Sequence, residues 1–156
     1  VNIVLTKSKS YSHPKVLVAR SLDEAIDLAQ MHSKKERLFV IGGGSIYDQT
    51  YTLADELYLT QIQPRNPNQA HLFDEEFYGD TYFPKIPKGP WELCHLSRLY
   101  RALDTLVPKP DPLNVSYYFR FFKYAKRSGC GCTAAEKDRV RHTLETAGDI
   151  VFPIGR

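Results

Sequence analysis

Three consecutive glycines, Gly42, Gly43 and Gly44, are the residues whose type and spacing most directly suggest chemistry. They follow the apolar run LFVI and precede a short segment that begins at Ser45. Because glycine has no Cβ, such a turn lets a phosphate group approach the backbone, and the amides at the start of the next helix point toward that phosphate. For three glycines alone, a sharp strand-to-helix turn without any ligand is the commoner explanation.

The residues around the turn predict the elements that position it. Residues 38–41 form a continuous apolar run, which is typical of a strand buried on both faces of a parallel sheet. A short crossover helix and a strand at residues 56–62 follow. Two strands, at residues 1–5 and 16–19, and a helix capped by Ser21 precede the turn. Strands that alternate with helices indicate an α/β fold with a largely parallel sheet.

The second half of the chain has a different pattern. Strand-like segments at residues 91–99 and 115–123 flank a proline-bearing connection, which predicts an antiparallel hairpin. The aromatic residues of the second segment predict a central strand that is buried on both faces. This explanation is simpler than the alternative, a platform on which nucleic-acid bases stack. In the tail from residue 126 onward, Thr133 and Glu136 predict a capping box at the start of a helix that ends near Gly148.

Composition limits the classes of protein and partner. The chain has 156 residues, of which 42% are hydrophobic, enough for one ordinary core. Its 21 basic and 18 acidic residues are interspersed and give a net charge of +3, which argues against a nucleic-acid partner. No apolar run approaches the length of a membrane span and the N-terminus has no signal-peptide pattern, so we expect a cytoplasmic protein with no membrane partner.

The cysteines give little indication of a specific site. Cys94, Cys130 and Cys132 are odd in number and too few for a disulfide scaffold, which agrees with a reducing compartment. The pair Cys130 and Cys132 together with His142 does not have the spacing of a zinc site, so no metal is expected.

Four segments, taken in order, resemble dihydrofolate reductase at nearly the expected spacing. They are VNIVLT at 1–6, SLDEAIDLA at 21–29, RLFVIGGGSIYDQTYTLADELYLTQI at 37–62 and GDTYFP at 79–84. The resemblance implies a dihydrofolate reductase-like α/β fold: a mostly parallel sheet with flanking helices and a C-terminal antiparallel hairpin, with the N-terminal part of the fold missing. The implied organisation is the C-terminal portion of that domain at residues 1–125 and a tail with a short helix at residues 126–156.

The resemblance implies NADPH as the cofactor. The glycine turn would bind the pyrophosphate, with Gly42 and Gly43 joined by the family's unusual cis peptide bond, and Tyr47 would lie beside the nicotinamide. Thr6, Lys7 and Arg20 would face the adenosine 2′-phosphate, where a lysine favours NADPH over NADH by charge pairing; basic residues in such loops are about as often simply solvated. The implied cofactor-binding residues are Thr6, Lys7, Arg20, Gly42, Gly43, Gly44, Ser45, Ile46 and Tyr47.

On the substrate side, the resemblance implies that Ile41 packs against the aromatic linker of dihydrofolate and that Thr60 supports the pterin through hydrogen bonds. Each residue also has an ordinary explanation, as a core residue and as a β-forming residue respectively. No catalytic residue is assigned, because the family's catalytic carboxylate belongs to a position before Val1.

The implied activity is the NADPH-dependent reduction of 7,8-dihydrofolate to tetrahydrofolate, an oxidoreductase step of one-carbon metabolism and tetrahydrofolate biosynthesis, incomplete in this chain by itself. The alternative is a noncatalytic nucleotide-binding or interaction module derived from the same fold. In either case an incomplete sheet exposes an edge, which a preceding segment or self-association would cover.

Overall fold

The computed structural model describes residues 1–33, 37–64, 80–87, 89–101 and 117–146. The chain forms two compact units, Val1–Ile41 and Gly42–Arg156. Within the described ranges, none of the helices combines the length and hydropathy that a bilayer span requires.

The first unit contains a parallel strand pair followed by a helix. Strands β1 (Ile3–Leu5) and β2 (Leu17–Ala19) pair in parallel, and helix α1 (Leu22–His32) follows β2 directly. The side chain of Ser21 caps α1 by accepting a hydrogen bond from the amide of Glu24 at 3.2 Å. The predicted strands and the predicted cap of this helix are therefore confirmed.

The predicted strand at residues 38–41 is wrong. These residues are not in a strand, and their side chains are exposed, with Phe39 at 69% and Ile41 at 87% of full accessibility. A strand needs neighbours to accept and donate its backbone hydrogen bonds, and within the described residues no strand pairs with this segment. An apolar run indicates what a segment would bury, but it does not supply the partner.

The second unit is built around an antiparallel sheet. Its elements are α2 (Gly44–Thr50), β3 (Glu56–Pro64), β4 (Trp91–Leu96), β5 (Tyr100–Arg101), β6 (Tyr117–Lys126) and α3 (Ala134–Thr146). The sheet order is β3-β6-β4, β5 also pairs with β6, and every pairing is antiparallel. The predicted hairpin of the second half is thereby confirmed in the pairing of β4 with β6.

The prediction of a mostly parallel sheet is wrong for the described residues. Only the β1–β2 pair is parallel, whereas the larger sheet is antiparallel. Alternation of strands and helices along the sequence predicts parallel pairing only between strands that are also neighbours in the sheet. Here β3 pairs with β6, in a register that places Glu56 opposite Ala125. The paired residues are more than 50 positions apart in the chain, so no local pattern indicates the pairing.

Strand β6 is central, as predicted, but only one of its faces is fully buried. Arg120, Phe122 and Tyr124 alternate on the buried face, and Phe122 is 1% exposed. Phe121, on the other face, remains 43% exposed. The prediction of burial on both faces is therefore wrong, because aromatic side chains on the outer face cover one another instead: Phe119 and Phe121 are in contact at 5.6 Å between ring centroids.

Helix α3 belongs to the packed structure of the second unit. The predicted capping box is confirmed: Thr133 donates its amide to Glu136 at 2.7 Å, and Glu136 donates its amide to the Thr133 hydroxyl at 3.2 Å. The helix packs on β4, with Val140 buried and Leu144 against the core cluster around Phe122. The predicted end at residue 148 lies outside the described residues, and the domain boundary after residue 125 stays a prediction.

Two of the three cysteines are joined. Cys94 in β4 and Cys132, just before α3, form a disulfide with their Cα atoms 5.6 Å apart. The cysteine count favoured reduced thiols, and this disulfide differs from that expectation; its members lie 38 residues apart in the sequence, so no local spacing indicated the pair.

Candidate cofactor and substrate site

The backbone conformation of the turn at Gly42 requires glycine. The peptide bond between Gly42 and Gly43 is cis, as the resemblance implied, and Gly42 has φ +107°, a region that side chains with a Cβ rarely adopt. The ring of Tyr47 lies over Gly42, so that a Cβ added there would come within 3.2 Å of the ring atom Cε2. By contrast, a Cβ added at Gly43 would meet nothing within 4 Å. The turn is thus closed at Gly42 and open at Gly43.

The amides after the turn divide into two groups. Those of Ile46 and Tyr47 both donate to the carbonyl of Gly43, at 2.9 and 3.0 Å. Those of Gly44 and Ser45 come before this first helical hydrogen bond, where an amide has no acceptor within its own helix. Of the residues that the sequence assigned to the pyrophosphate, Gly44 and Ser45 therefore have backbone donors to offer, and the amide of Ile46 is already engaged.

The segment after Asp80 packs against the glycine turn, a contact that the sequence did not reveal. A Cβ added at Gly44 would lie 2.8 Å from Cγ2 of Thr81 and 3.8 Å from the carbonyl oxygen of Tyr82. The ring of Phe83 contacts the ring of Tyr47, with the centroids 5.2 Å apart. The motif GDTYFP indicated that this segment belongs to the family pattern. Only the packing shows that Thr81 contacts Gly44 and that Phe83 contacts Tyr47.

In the first unit, the structure brings Thr6 and Arg20 together. Thr6 extends the strand pairing by donating its amide to the carbonyl of Ala19 at 3.0 Å, and its hydroxyl accepts the amide of Ser8 at 3.2 Å. The Nη1 group of Arg20 donates to the carbonyl of Thr6 at 3.1 Å and also to the carbonyl of Ser8. Arg20 thus holds the loop after β1 in place, and the side chain of Lys7 between these anchor points is exposed.

The two residues predicted on the folate side are both accessible. Ile41 is 87% exposed among the described residues. Thr60 lies on the exposed face of β3, in register with Phe121 of β6. Ile41 belongs to the first unit and Thr60 to the second.

Two charged residues, Glu56 of β3 and Lys123 of β6, lie on the same face of the sheet as Thr60. Lys123 pairs with the Glu56 carboxylate at 2.7 Å, and the hydroxyl of Tyr58 donates to the same carboxylate at 2.7 Å. The hydrogen bond to Glu56 raises the pKa of Lys123 above its ordinary value, and it raises the pKa of Tyr58 as well. Both groups therefore keep their protons at neutral pH, and this end of the face carries one fixed positive and one fixed negative charge.

Comparison with known proteins places these features in a family. The sequence profile described as Dihydrofolate reductase matches residues 1–104. A dihydrofolate reductase of Buchnera aphidicola subsp. Baizongia pistaciae is 35% identical over 98 residues, which cover 63% of this chain and 51% of that protein. Those of Heliothis virescens and Bacillus subtilis are 34% and 33% identical, over 79% and 59% of this chain and 60% and 46% of their own lengths.

The chain therefore spans about half the length of the curated relatives it matches. The profile match extends through both the loop after β1 and the glycine turn and covers about two thirds of the chain. The chain belongs to the dihydrofolate reductase family.

Proposed function

We propose that the protein represented by this chain reduces 7,8-dihydrofolate to tetrahydrofolate with NADPH, and that the chain supplies residues for cofactor binding. The relatives from Buchnera, Heliothis and Bacillus are named dihydrofolate reductases, which supports the reaction. The observation that carries the proposal is the open side of the glycine turn. At Gly43 nothing lies within 4 Å of the Cβ position, which leaves room for a phosphate against the backbone.

In this proposal the turn binds the NADPH pyrophosphate. The amides of Gly44 and Ser45 donate to phosphate oxygens, since they precede the first hydrogen bond of α2. Tyr47, held between Gly42 and Phe83, lies beside the nicotinamide. When bound, NADPH supplies the hydride, and these residues bind and orient it.

The loop after β1 would recognise the 2′-phosphate that distinguishes NADPH from NADH. Lys7 is exposed and its ammonium group can reach out to an anion. Arg20 already donates to two loop carbonyls, so its main part in the proposal is to fix the loop that presents Thr6 and Lys7. Charge pairing with Lys7 would then favour the phosphorylated cofactor.

The substrate contacts in the proposal are Ile41, against the aromatic linker of dihydrofolate, and Thr60, which hydrogen-bonds the pterin. Protonation of the pterin nitrogen requires an acid, and none of the residues assigned in this chain has that role. The reaction belongs to tetrahydrofolate biosynthesis in one-carbon metabolism, and we propose a cytoplasmic location for it.

The second candidate is a noncatalytic nucleotide-binding or interaction module, and one observation favours it. Phe39 and Ile41 expose most of their side chains, at 69% and 87%, in an apolar run of the kind that a further segment or a second copy would cover. A nucleotide-binding module would bind NADPH through the same turn without reducing dihydrofolate, whereas an interaction module would use the exposed apolar run.

Turnover separates the two candidates. The purified chain is mixed with NADPH and dihydrofolate, and oxidation of NADPH is followed by the loss of its near-ultraviolet absorbance, while NADPH binding is measured in parallel. Dihydrofolate-dependent oxidation that Gly43→Ala diminishes supports the reductase. Saturable NADPH binding without oxidation supports the nucleotide-binding module for this chain, and absence of NADPH binding contradicts both the reductase and the nucleotide-binding module and leaves the interaction module.

A further inference from the structure

Three cysteine sulfur atoms converge in the second unit. Cys94 comes from β4, and Cys130 and Cys132 come from the segment between β6 and α3. All three sulfur atoms lie within 4.8 Å of one another. Besides the Cys94–Cys132 disulfide, the Sγ atom of Cys130 lies 3.7 Å from the Sγ atom of Cys94. A disulfide alone needs two sulfur atoms, and here a third soft donor is held against them.

The spacing of one pair of these donors, Cys94 and Cys130, suits a metal ion bound by thiolates. With Zn–S bonds of about 2.3 Å and tetrahedral angles, two sulfur ligands of one zinc ion lie about 3.8 Å apart. The Sγ atoms of Cys94 and Cys130 are 3.7 Å apart, close to this value. We propose that the reduced forms of Cys94, Cys130 and Cys132 bind one Zn²⁺ ion through three thiolates, with water in the fourth position.

Burial and charge fit such an ion. Cys94 is 2% exposed, whereas Cys130 and Cys132 are half-buried, so the ion would have a protein-covered side and a side open to water. Three thiolates and one Zn²⁺ carry a net charge of −1. Glu92, two residues before Cys94, pairs with both Arg127 at 3.3 Å and Lys137 at 3.7 Å, and these three side chains together carry +1. The net charge of the complex and that of these three side chains are thus opposite in sign.

The ion would join parts of the chain that are distant in sequence. Cys94 lies in β4, whereas Cys132 directly precedes Thr133, the residue that caps α3. A metal bound to both would fasten the start of α3 to the sheet on which that helix packs. The sequence paired Cys130 and Cys132 with His142 and predicted no metal; the structure instead supplies Cys94 as the third donor.

Metal binding and the disulfide exclude each other, because a sulfur atom in a disulfide is not a thiolate ligand. A trialkylphosphine opens the disulfide by giving two electrons to sulfur; water supplies the oxygen of the resulting phosphine oxide and the two protons that the thiols receive. Zinc then displaces the thiol protons to solvent as the thiolates bind. The proposal therefore concerns the reduced protein, and the oxidised protein is its natural control.

The test is a metal titration of the full chain. The chain is reduced with a trialkylphosphine under nitrogen, freed of the reductant and titrated with Zn²⁺ in competition with a chromophoric chelator. Co²⁺ is then used as a spectroscopic substitute, because the intensity of its thiolate charge-transfer bands increases with the number of thiolates. We expect one Zn²⁺ per chain and the Co²⁺ intensity of three thiolates, with neither in the oxidised protein.

Variants assign the ligands. Cys130→Ser should weaken Zn²⁺ binding at least about tenfold and lower the Co²⁺ intensity to that of two thiolates. Cys132→Ser should do the same, and it tests the site again should Cys130→Ser not fold, as judged by circular dichroism. Ser128→Ala, an exposed residue in the same segment, should leave both readouts unchanged. Failure of the reduced chain to compete with the chelator, or an unchanged Co²⁺ spectrum in folded Cys130→Ser, overturns the proposal.

Discussion

Gly44 and Thr81 are packed so closely that a single methyl group would not fit between them. A Cβ at Gly44 would lie 2.8 Å from Cγ2 of Thr81, closer than carbon atoms approach in folded proteins. At the neighbouring Gly43, the same addition meets nothing within 4 Å. Gly44 is therefore required by packing within the protein. Gly43, in our proposal, is required by the phosphate of a ligand.

Alanine at these two positions separates packing from binding. We expect Gly44→Ala to lower the free energy of unfolding by about 1–3 kcal/mol, because the turn or Thr81 must move. Gly43→Ala should cost less, about 0.5–1 kcal/mol, because its added Cβ meets nothing within 4 Å and the loss is only that of a better N-cap residue. Urea unfolding measures both. Thr81→Ser, which removes the clashing methyl group, should restore stability to Gly44→Ala; a Gly44→Ala variant as stable as the parent chain would contradict the packing.

Lys7 should distinguish the two nicotinamide cofactors. Replacing it with Gln removes the positive charge proposed to face the 2′-phosphate, so we expect NADPH to bind about tenfold more weakly and NADH to bind unchanged. Cofactor fluorescence titrations give both dissociation constants. Lys9→Gln, an exposed change in the same loop, is the matched control. Equal losses for NADPH and NADH would show that Lys7 does not contact that phosphate.

The capping box of α3 should make stability depend on acid pH. The Glu136 carboxylate accepts hydrogen bonds from the amide and the hydroxyl of Thr133, and these bonds lower its pKa below the ordinary value for Glu. The unfolded chain then takes up a proton at higher pH than the folded chain does. The stabilisation is fully present above the ordinary pKa of about 4.3 and disappears as the pH falls through the lower folded value.

Glu136→Gln provides the comparison, because its amide does not titrate. The difference in free energy of unfolding between the parent chain and this variant should shrink as the pH is lowered from about 6 to about 3. Chemical unfolding followed by helix circular dichroism measures this difference. A difference that stays constant over the range would mean that the carboxylate does not cap the helix in solution.

Arg120 carries a buried charge, and two of its donor atoms are unpaired among the described residues. It is 4% exposed, its Nε and Nη1 atoms have no hydrogen-bond acceptor among them, and burial lowers its pKa. Replacing it with Met keeps an apolar stem and removes the unpaired donors, so we expect the free energy of unfolding to rise by about 1–3 kcal/mol.

Lys123→Met is the matched substitution on the other face of β6, where it removes a half-exposed ion pair with Glu56. Its effect should be a loss of less than about 1 kcal/mol. Thermal or urea unfolding compares the two variants. Greater destabilisation by Arg120→Met than by Lys123→Met would mean that the guanidinium has a stabilising partner.

Local signals in the sequence predicted local structure well. The Ser21 cap and the pairing of Thr133 with Glu136 depend on residues three apart, so each is visible in the sequence, and the structure has both. The glycine turn is likewise visible in the sequence, because the positive φ at Gly42 requires a residue without a Cβ and the sequence has glycine there.

Features that depend on distant partners were missed or wrong. The apolar run at residues 38–41 predicted a buried strand, but burial needs a neighbouring strand that the run does not specify. The contact of Thr81 with Gly44 and the approach of Cys94 to Cys130 each join segments more than 35 residues apart. No periodicity or spacing within either segment indicates such contacts, since they arise only when the sheet assembles.

The most direct test of the proposed function is an equilibrium titration of the chain with NADPH, repeated with Gly43→Ala. We expect saturable binding of one NADPH per chain, weakened at least about tenfold in Gly43→Ala although that variant stays folded by circular dichroism, because the added methyl group occupies the space of the phosphate. Equal affinity in the two proteins, or no saturable binding to the parent chain, would contradict the assignment of the glycine turn to the cofactor.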